Sequence, residues 1–321
     1  MRGDSTELRR LKPDPLNLLV NTGVGKQNID RKDACHGRRH PFCFEERKVT
    51  HMKKLLTIAG SDCSGGAGIQ ADLKTFAAHG TFGMSVIVSV VAENTCEVLG
   101  VQDISPDMIK QQIDAVFQDI GTDAVKVGML SKSDCMLAVA EKLREYRPNN
   151  VVIDPVMLAK NGCPLMQPDS MDTLIHEILP LADLLTPNIP EAETITGLAI
   201  HSPEDMERAA KKIHAMGARG VLVKGGHADG DALDILFDGE RFYRFSETRI
   251  QTKNTHGTGC TYSSAIACNL ALGCSMEEAV RKAKAYVTTA IRHSLAIGKG
   301  CGPTHHFYDL YQNGLQEREG K

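Results

Sequence analysis

Apolar and polar positions fall into a regular alternation only beyond residue 51. From Lys53 onward, short apolar runs give way to longer segments whose apolar residues recur every three to four positions. The run Leu55-Leu-Thr-Ile-Ala59 ends in Gly60 and predicts a buried strand. A helix is predicted from about 67 to 79, with Ile69, Leu73, Phe76 and Ala77 on one face. The same reading predicts strands at 84–91, 124–127, 151–154 and 221–224, a strand end at 184–185, and β runs at 232–237 and 241–245. It predicts helices at 106–119, 133–146, 168–178, 190–196, 203–216, 257–272 and 275–297. Strands alternating with helices of this length make βαβ units. The expected class is therefore α/β, with a mainly parallel central sheet and helices on both faces. There is no repeat, no low-complexity segment and no sign of a second core.

Residues 1–51 do not share this pattern. They hold 11 Lys/Arg and 7 Asp/Glu, so they are basic while the rest of the chain is acidic. They contain the cluster Gly37-Arg-Arg-His40 and lack the apolar stretch of a secretory signal. Their acidic residues argue against a transit peptide. We expect a disordered tail or an over-extended start, with Met52 as the true beginning and 52–321 as the folded domain.

Composition narrows the classes further. A net charge of −3 gives no basic field for nucleic acid. No apolar run approaches the roughly 18 residues of a membrane span. The 10 cysteines show neither a CxxC pair nor a zinc spacing, which reads as free thiols in a reducing cytoplasm.

In such sheets ligands bind beyond the C-terminal strand ends. Four predicted strand ends carry polar or glycine signatures: Gly60-Ser-Asp62, Asp154-Pro155, Thr186-Pro-Asn188 and Lys224-Gly-Gly226. They point to one composite site. The most telling stretch is Asn254-Thr-His-Gly-Thr-Gly-Cys260, which opens a helix free of Lys, Arg, Asp and Glu. A helix N-terminus presents unpaired N–H groups and partial positive charge. Gly257 and Gly259 would let a phosphate approach the backbone, with Thr258 between them. An uncharged helix should be buried and hold that site rigidly. Cys260 is either a base or nucleophile with a pKa depressed by the helix, or a small space-filler.

The other candidates each have a plainer reading. The loop 59–72 is rich in glycine but is neither a Walker A loop nor a Gly-x-Gly-x-x-Gly loop. It suits a small polar substrate, with Asp72 facing the loop or merely decorating the helix. Glu93 can accept from a ring N–H or amino group, or lie in a solvated loop. Asp154 and Glu191 can hold Mg²⁺ beside a triphosphate, with Asn188 assisting, or simply end a strand and start a helix. Lys224 with Gly225, and Lys253, can meet phosphate.

Together these segments resemble the hydroxymethylpyrimidine/phosphomethylpyrimidine kinases of thiamine biosynthesis, in the ribokinase-like superfamily. The resemblance runs from about Met52 to Tyr311. It is carried by Ala59-Gly-Ser-Asp62, Ser64-Gly-Gly-Ala-Gly-Ile-Gln-Ala-Asp72, Val127-Gly-Met-Leu130, Asp154-Pro-Val-Met-Leu-Ala-Lys160, Thr186-Pro-Asn188, Pro190-Glu-Ala192 and Lys224-Gly-Gly-His227. It is carried further by Asn254–Cys260, Gly298-Lys-Gly300 and Gly302-Pro303. The resemblance implies a ribokinase-like three-layer sandwich, ATP, Mg²⁺, a small pyrimidine substrate and usually a homodimer. It places Gly60, Asp72, Glu93 and Met129 around the pyrimidine, and Lys224 with its glycines at the nucleotide. Thr258, Gly259 and Cys260 would form the anion hole. Where some relatives carry Gln, this chain has Glu93, which bears on ring preference. Pyridoxal kinase is the alternative activity, and a ligand-sensing relative of weak activity the alternative class.

Overall fold

The structure, a computed structural model, describes residues 52–158, 162, 164–226 and 231–313. The expected tail lies outside the described residues. Among them a single nine-stranded sheet forms the middle layer, in the order β3-β2-β1-β4-β5-β6-β7-β8-β9. The strands are β1 (Lys54–Gly60), β2 (Phe82–Glu93), β3 (Val98–Asp103), β4 (Ala124–Val127), β5 (Val151–Ile153), β6 (Leu184–Leu185), β7 (Val221–Lys224), β8 (Ala232–Phe237) and β9 (Phe242–Glu247). Neighbours from β2 through β7 are parallel, while β3, β8 and β9 join antiparallel at the edges.

The period of two within each strand divides the core into two halves. Leu56, Ile58, Val125, Val127, Ile153, Leu185, Val221 and Val223 point to one side. There they meet α2 (Pro106–Asp119), α3 (Ser133–Tyr146), α5 (Ile189–Thr196) and α6 (Pro203–Ala215). Leu55, Ala124, Val152, Leu184 and Leu222 point to the other side, against α1 (Gly68–Ala78), α7 (Thr258–Ala271) and α8 (Met276–Arg292). Strands buried on both faces explain why their sequences read as continuous apolar runs. β1 pairs with β2 on one side and β4 on the other, so the chain reverses direction across the sheet at β1. A crevice opens beyond the strand ends at such a reversal. No helix among the described residues is long and apolar enough to cross a membrane.

Four elements differ from the sequence expectation. β3 was not expected: it is an edge strand, with Leu99 and Val101 exposed and no buried face to impose a pattern. The helix expected at 168–178 is broken. A 3-10 turn (Pro168–Ser170) leads into α4 (Met171–Thr173), a π turn (Leu174–Ile178) and a second 3-10 turn (Leu179–Leu181). Helix α8 stops at Arg292, because beyond it Leu295 donates its N–H to the Pro303 carbonyl. A final short helix, α9 (Tyr308–Asn313), brings Tyr308 onto the ring of His293, with centroids 3.5 Å apart.

Candidate active site

Helix α7 is buried along nearly its whole length and packs against α1, α8, β1, β4 and β5. Its N-terminus therefore sits at the crevice on a rigid support. The helical ladder begins with the Thr261 N–H to Gly257 carbonyl bond, and the Thr258 N–H turns back to the Thr255 carbonyl. The Gly259 and Cys260 N–H groups thus precede the ladder, in the position that suits an anion.

The two glycines expected to serve phosphate have different duties. Gly257 is left-handed, with φ of 75°, and a Cβ there would stand 1.7 Å from the Gly66 carbonyl oxygen. It packs loop against loop. At Gly259 φ lies outside the left-handed region, and a Cβ would point at Asp154 Oδ2, 3.4 Å away, and Lys224 Nζ, 3.6 Å away. Gly259 is therefore the glycine that fronts charged groups. The Thr258 hydroxyl is turned back onto the Thr255 carbonyl at 2.8 Å.

Opposite Gly259, the end of β7 delivers Lys224 to Asp154 at the end of β5, with Nζ 2.7 Å from Oδ1. Thr186, just past β6, donates to the same oxygen at 3.0 Å. Burial favours the neutral acid in Asp154, but Lys224 and Lys126 outweigh it and hold the carboxyl below the usual range. Burial likewise opposes the Lys224 charge, and Asp154 and Glu191 more than restore it. Glu191 belongs to a capping box at the start of α5. Its Oε2 accepts the Asn188 N–H at 2.8 Å, while Asn188 Oδ1 accepts the Glu191 N–H at 2.9 Å. Burial pushes Glu191 up to about 7, with Asp154 adding to the rise and Lys224 opposing it.

Asn188 caps α5 through its side-chain oxygen. One expectation at this end is corrected. Gly225 is not open to a nucleotide: a Cβ there would sit 1.9 Å from the Leu233 carbonyl oxygen, and its N–H donates to Asp234 Oδ1 at 3.0 Å. At Gly226, by contrast, a Cβ would have nothing among the described residues within 4 Å, and its carbonyl accepts from Arg249 Nη1 at 2.7 Å. Lys253 lies exposed at the rim, its carbonyl accepting from Cys301 Sγ at 2.9 Å.

At the other end of the crevice, a Cβ on Gly60 would stand 2.8 Å from Met129 Cε, so the end of β1 and the loop after β4 are in close approach. A bulge between Ala92 and Glu93 turns the end of β2. It brings ligand atoms of Glu93, Asp62 and His256 within 4.8 Å of one another. Burial and the neighbouring Asp62 carboxylate raise Glu93 to about 7. Asp62 moves the other way. Burial alone would raise it, but His256, the Ser64 side chain and the Ala67 N–H hold it far below the usual range. From the sequence Asp62 stands out only as part of a strand end, and His256 only as the nearest possible partner of Cys260. The signal was an Asp just ahead of a glycine loop, whose N–H groups need an acceptor.

Asp72 does not line the crevice. It is wholly buried, with Oδ2 accepting from Lys126 Nζ at 2.9 Å and the Thr57 hydroxyl at 2.6 Å, and Oδ1 accepting from Ser264 at 2.7 Å. Three donors from β4, β1 and α7 use the carboxylate as an internal post. Cys260, beside it, has the opposite of the expected shift. Burial pushes its thiol up to about 11, against the pull of Lys126. The depression expected from the helix N-terminus is overridden by desolvation.

The segment 298–302 closes the ring of loops. Cys301 N–H reaches the Thr95 carbonyl at 2.8 Å, and Gly302 N–H reaches Asn254 Oδ1 at 3.1 Å. The loop after Glu93 is thereby joined to the loop before α7.

A doubly covered parallel sheet, a helix N-terminus faced by a Lys–Asp pair, and a carboxylate-lined end for a small molecule define a ribokinase-like α/β kinase. The chain belongs to the phosphomethylpyrimidine kinase family, whose sequence model matches residues 62–305. It is similar to the hydroxymethylpyrimidine/phosphomethylpyrimidine kinase of Bacillus subtilis, at 48% identity over 79% of this chain and 94% of the relative. It is 50% identical to the thiamine biosynthesis bifunctional protein ThiED of Geobacter sulfurreducens, over 82% of this chain but only 54% of that longer protein. Among solved structures, it is similar to an ADP complex of Bacillus subtilis pyridoxal kinase, with a TM-score of 0.75 and 41% identity, covering 82% of this chain and 100% of that one. A phosphomethylpyrimidine kinase from Clostridium difficile gives a TM-score of 0.68 and 49% identity, covering 74% of this chain and 99% of that one.

Proposed function

We propose that this chain transfers the γ-phosphoryl group of ATP to the hydroxymethyl oxygen of 4-amino-5-hydroxymethyl-2-methylpyrimidine, and then a second phosphoryl group to the monophosphate so formed. The observation that carries the reading is the placement of two unlike ends on one crevice. At one end Gly259, in the turn that opens α7, faces Lys224 and Asp154. At the other stands Glu93, a half-buried carboxyl raised to about 7. A carboxyl near its midpoint can accept from an amino group and share a proton with the adjacent ring nitrogen, which suits an aminopyrimidine. Phosphoryl transfer needs mainly positioning and charge stabilisation, and the α7 donors and Lys224 supply both.

Asp154 and Glu191 suit Mg²⁺. They are hard oxygen donors next to the phosphate end, and a cation there would stabilise Glu191 as the carboxylate despite its burial. Bound Mg²⁺ would neutralise charge on the phosphate oxygens. Asp72 has a buried structural role in this reading, and Cys260 acts through its N–H rather than as a base. A homodimer in the cytoplasm, with 52–321 as the kinase domain, completes the proposal and rests on the family resemblance.

The test is ADP release with three acceptors: the hydroxymethylpyrimidine, its monophosphate and pyridoxal. The proposal expects turnover with both pyrimidines and a higher kcat/KM for each than for pyridoxal. Turnover with pyridoxal alone would replace it with the vitamin B6 activity. No turnover with any acceptor would favour a sensing role.

A further inference from the structure

We infer that His256 is the positioning residue that sets the loop opening α7 against the loop that follows β1, and that it acts through Asp62. The inference rests on the phosphotransfer reading above and adds to it the element that joins the two ends of the crevice.

Asp62 is fully buried. Its Oδ1 accepts the Ser64 N–H at 2.7 Å, and its Oδ2 accepts the Gly66 and Ala67 N–H groups at 2.9 and 2.7 Å. One carboxylate thus shapes the whole loop 62–67. The same Oδ2 stands 2.9 Å from His256 Nε2. The Asp62 carboxyl is an acceptor only, so Nε2 carries the proton and donates. A hydrogen bond to a buried charge is among the stronger ones available to a loop.

His256 is held in its turn by two backbone bonds. Its N–H donates to the Gly302 carbonyl at 3.0 Å, and its carbonyl accepts from Thr304 at 3.4 Å. Its ring covers Gly66 so closely that a Cβ there would meet Cδ2 at 2.3 Å. The next residue, Gly257, presses on the Gly66 carbonyl. Three residues beyond His256 comes Gly259, which faces Asp154 and Lys224. A shift of His256 therefore moves the N–H donors of α7 relative to Gly60, Glu93 and the acceptor between them. Misplacing a reacting group by about 1 Å can cost on the order of a hundredfold in rate.

The test compares the wild type with His256→Gln, which keeps a donor at similar reach, and with two donor-free variants, His256→Phe and the smaller His256→Ala. Two readouts are taken: kcat and KM for ATP and hydroxymethylpyrimidine, and amide hydrogen exchange of residues 62–67 and 257–260 without substrate. Loss of the bond to Asp62 should lower kcat about ten- to a hundredfold in whichever donor-free variant folds, on the scale of a small misplacement of the reacting groups, with KM for ATP changed less than about threefold. Exchange should rise in both loops together. His256→Gln should recover most of the rate and most of the protection. A folded donor-free variant with kcat near wild type would overturn the inference. So would a Gln variant as impaired as the donor-free ones, or exchange that rises in only one loop. Wild-type turnover reads the proposed function separately, and the exchange comparison needs no substrate, so the two ideas fail independently.

Discussion

Gly257 stands so close to Gly66 that any side chain at 257 would collide with the Gly66 carbonyl, at 1.7 Å for a Cβ. The loop before α7 and the loop after β1 therefore meet backbone to backbone. The two segments lie nearly two hundred residues apart in sequence, yet their mutual distance is set by contact, and in the proposed function they carry the phosphate donors and the acceptor-binding groups. Rigid placement of this kind is what transfer between two bound molecules requires.

Glu93 should give the pyrimidine site its pH dependence. Its carboxyl is raised to about 7, so in the free protein it is neutral below that pH and ionised above it. The neutral form can donate to a ring nitrogen while accepting from the amino group. With ATP saturating, KM for hydroxymethylpyrimidine should be flat below about pH 7 and rise above it. Glu93→Gln, which also donates and accepts, should flatten the profile. Glu93→Ala should raise that KM about ten- to a hundredfold, on the scale of two neutral hydrogen bonds lost together. An unchanged KM in the Ala variant would remove Glu93 from the site.

Asp72 should behave as a structural post. Asp72→Ala leaves Lys126 buried and uncompensated, at a cost of about 3–5 kcal/mol. The denaturant midpoint should fall accordingly. A variant of normal stability with a raised KM for the pyrimidine would instead restore the substrate role expected from the sequence.

Cys260 should tolerate serine. Its thiol, pushed up to about 11, is protonated at neutral pH. A working general base is typically worth about 10²–10⁴-fold. Cys260→Ser should lose less than about tenfold in kcat and keep the wild-type pH profile. A loss on the scale of a general base, with a changed pH profile, would identify a thiolate.

A chain beginning at Met52 should match the full chain in kcat and melting temperature. The basic, aperiodic composition of 1–51 has too little apolar periodicity to add to the core. A marked loss of either property would show that those residues pack on the domain or complete the site.

Most of the fold was legible because buried parallel strands leave apolar runs that solvated loops do not. Val221–Lys224 and Ala232–Phe237 fall where the pattern placed them. β3 was not legible, since an exposed edge strand buries no face. Reading strand ends as one edge brought Asp154 and Lys224 together, while Gly259, which opens a helix, was not part of that reading. The duties of single residues followed less well, because they depend on what arrives from distant segments. Gly225 answers to Leu233, Gly257 to Gly66, and Cys260 to its burial. Asp72 did carry a signal. It lies three residues after Ile69 and four before Phe76, on the buried face of α1. Its partner Lys126, between Val125 and Val127, comes from a strand more than fifty residues away and is visible only in the structure.

The central claim is that the N-terminus of α7 holds the transferring phosphoryl group. The most direct measurement is the steady-state kinetics of Gly259→Val beside its thermal melt. Because φ at 259 lies outside the left-handed region, the variant should fold with a melt close to wild type. Its side chain would fill the space before Asp154 and Lys224, where in the proposed function charge develops during transfer. The account predicts a loss of about a hundredfold or more in kcat, the scale of one oxyanion donor, with a smaller change in KM for ATP. A folded Gly259→Val protein with near-normal kcat would show that this helix end is not where transfer occurs.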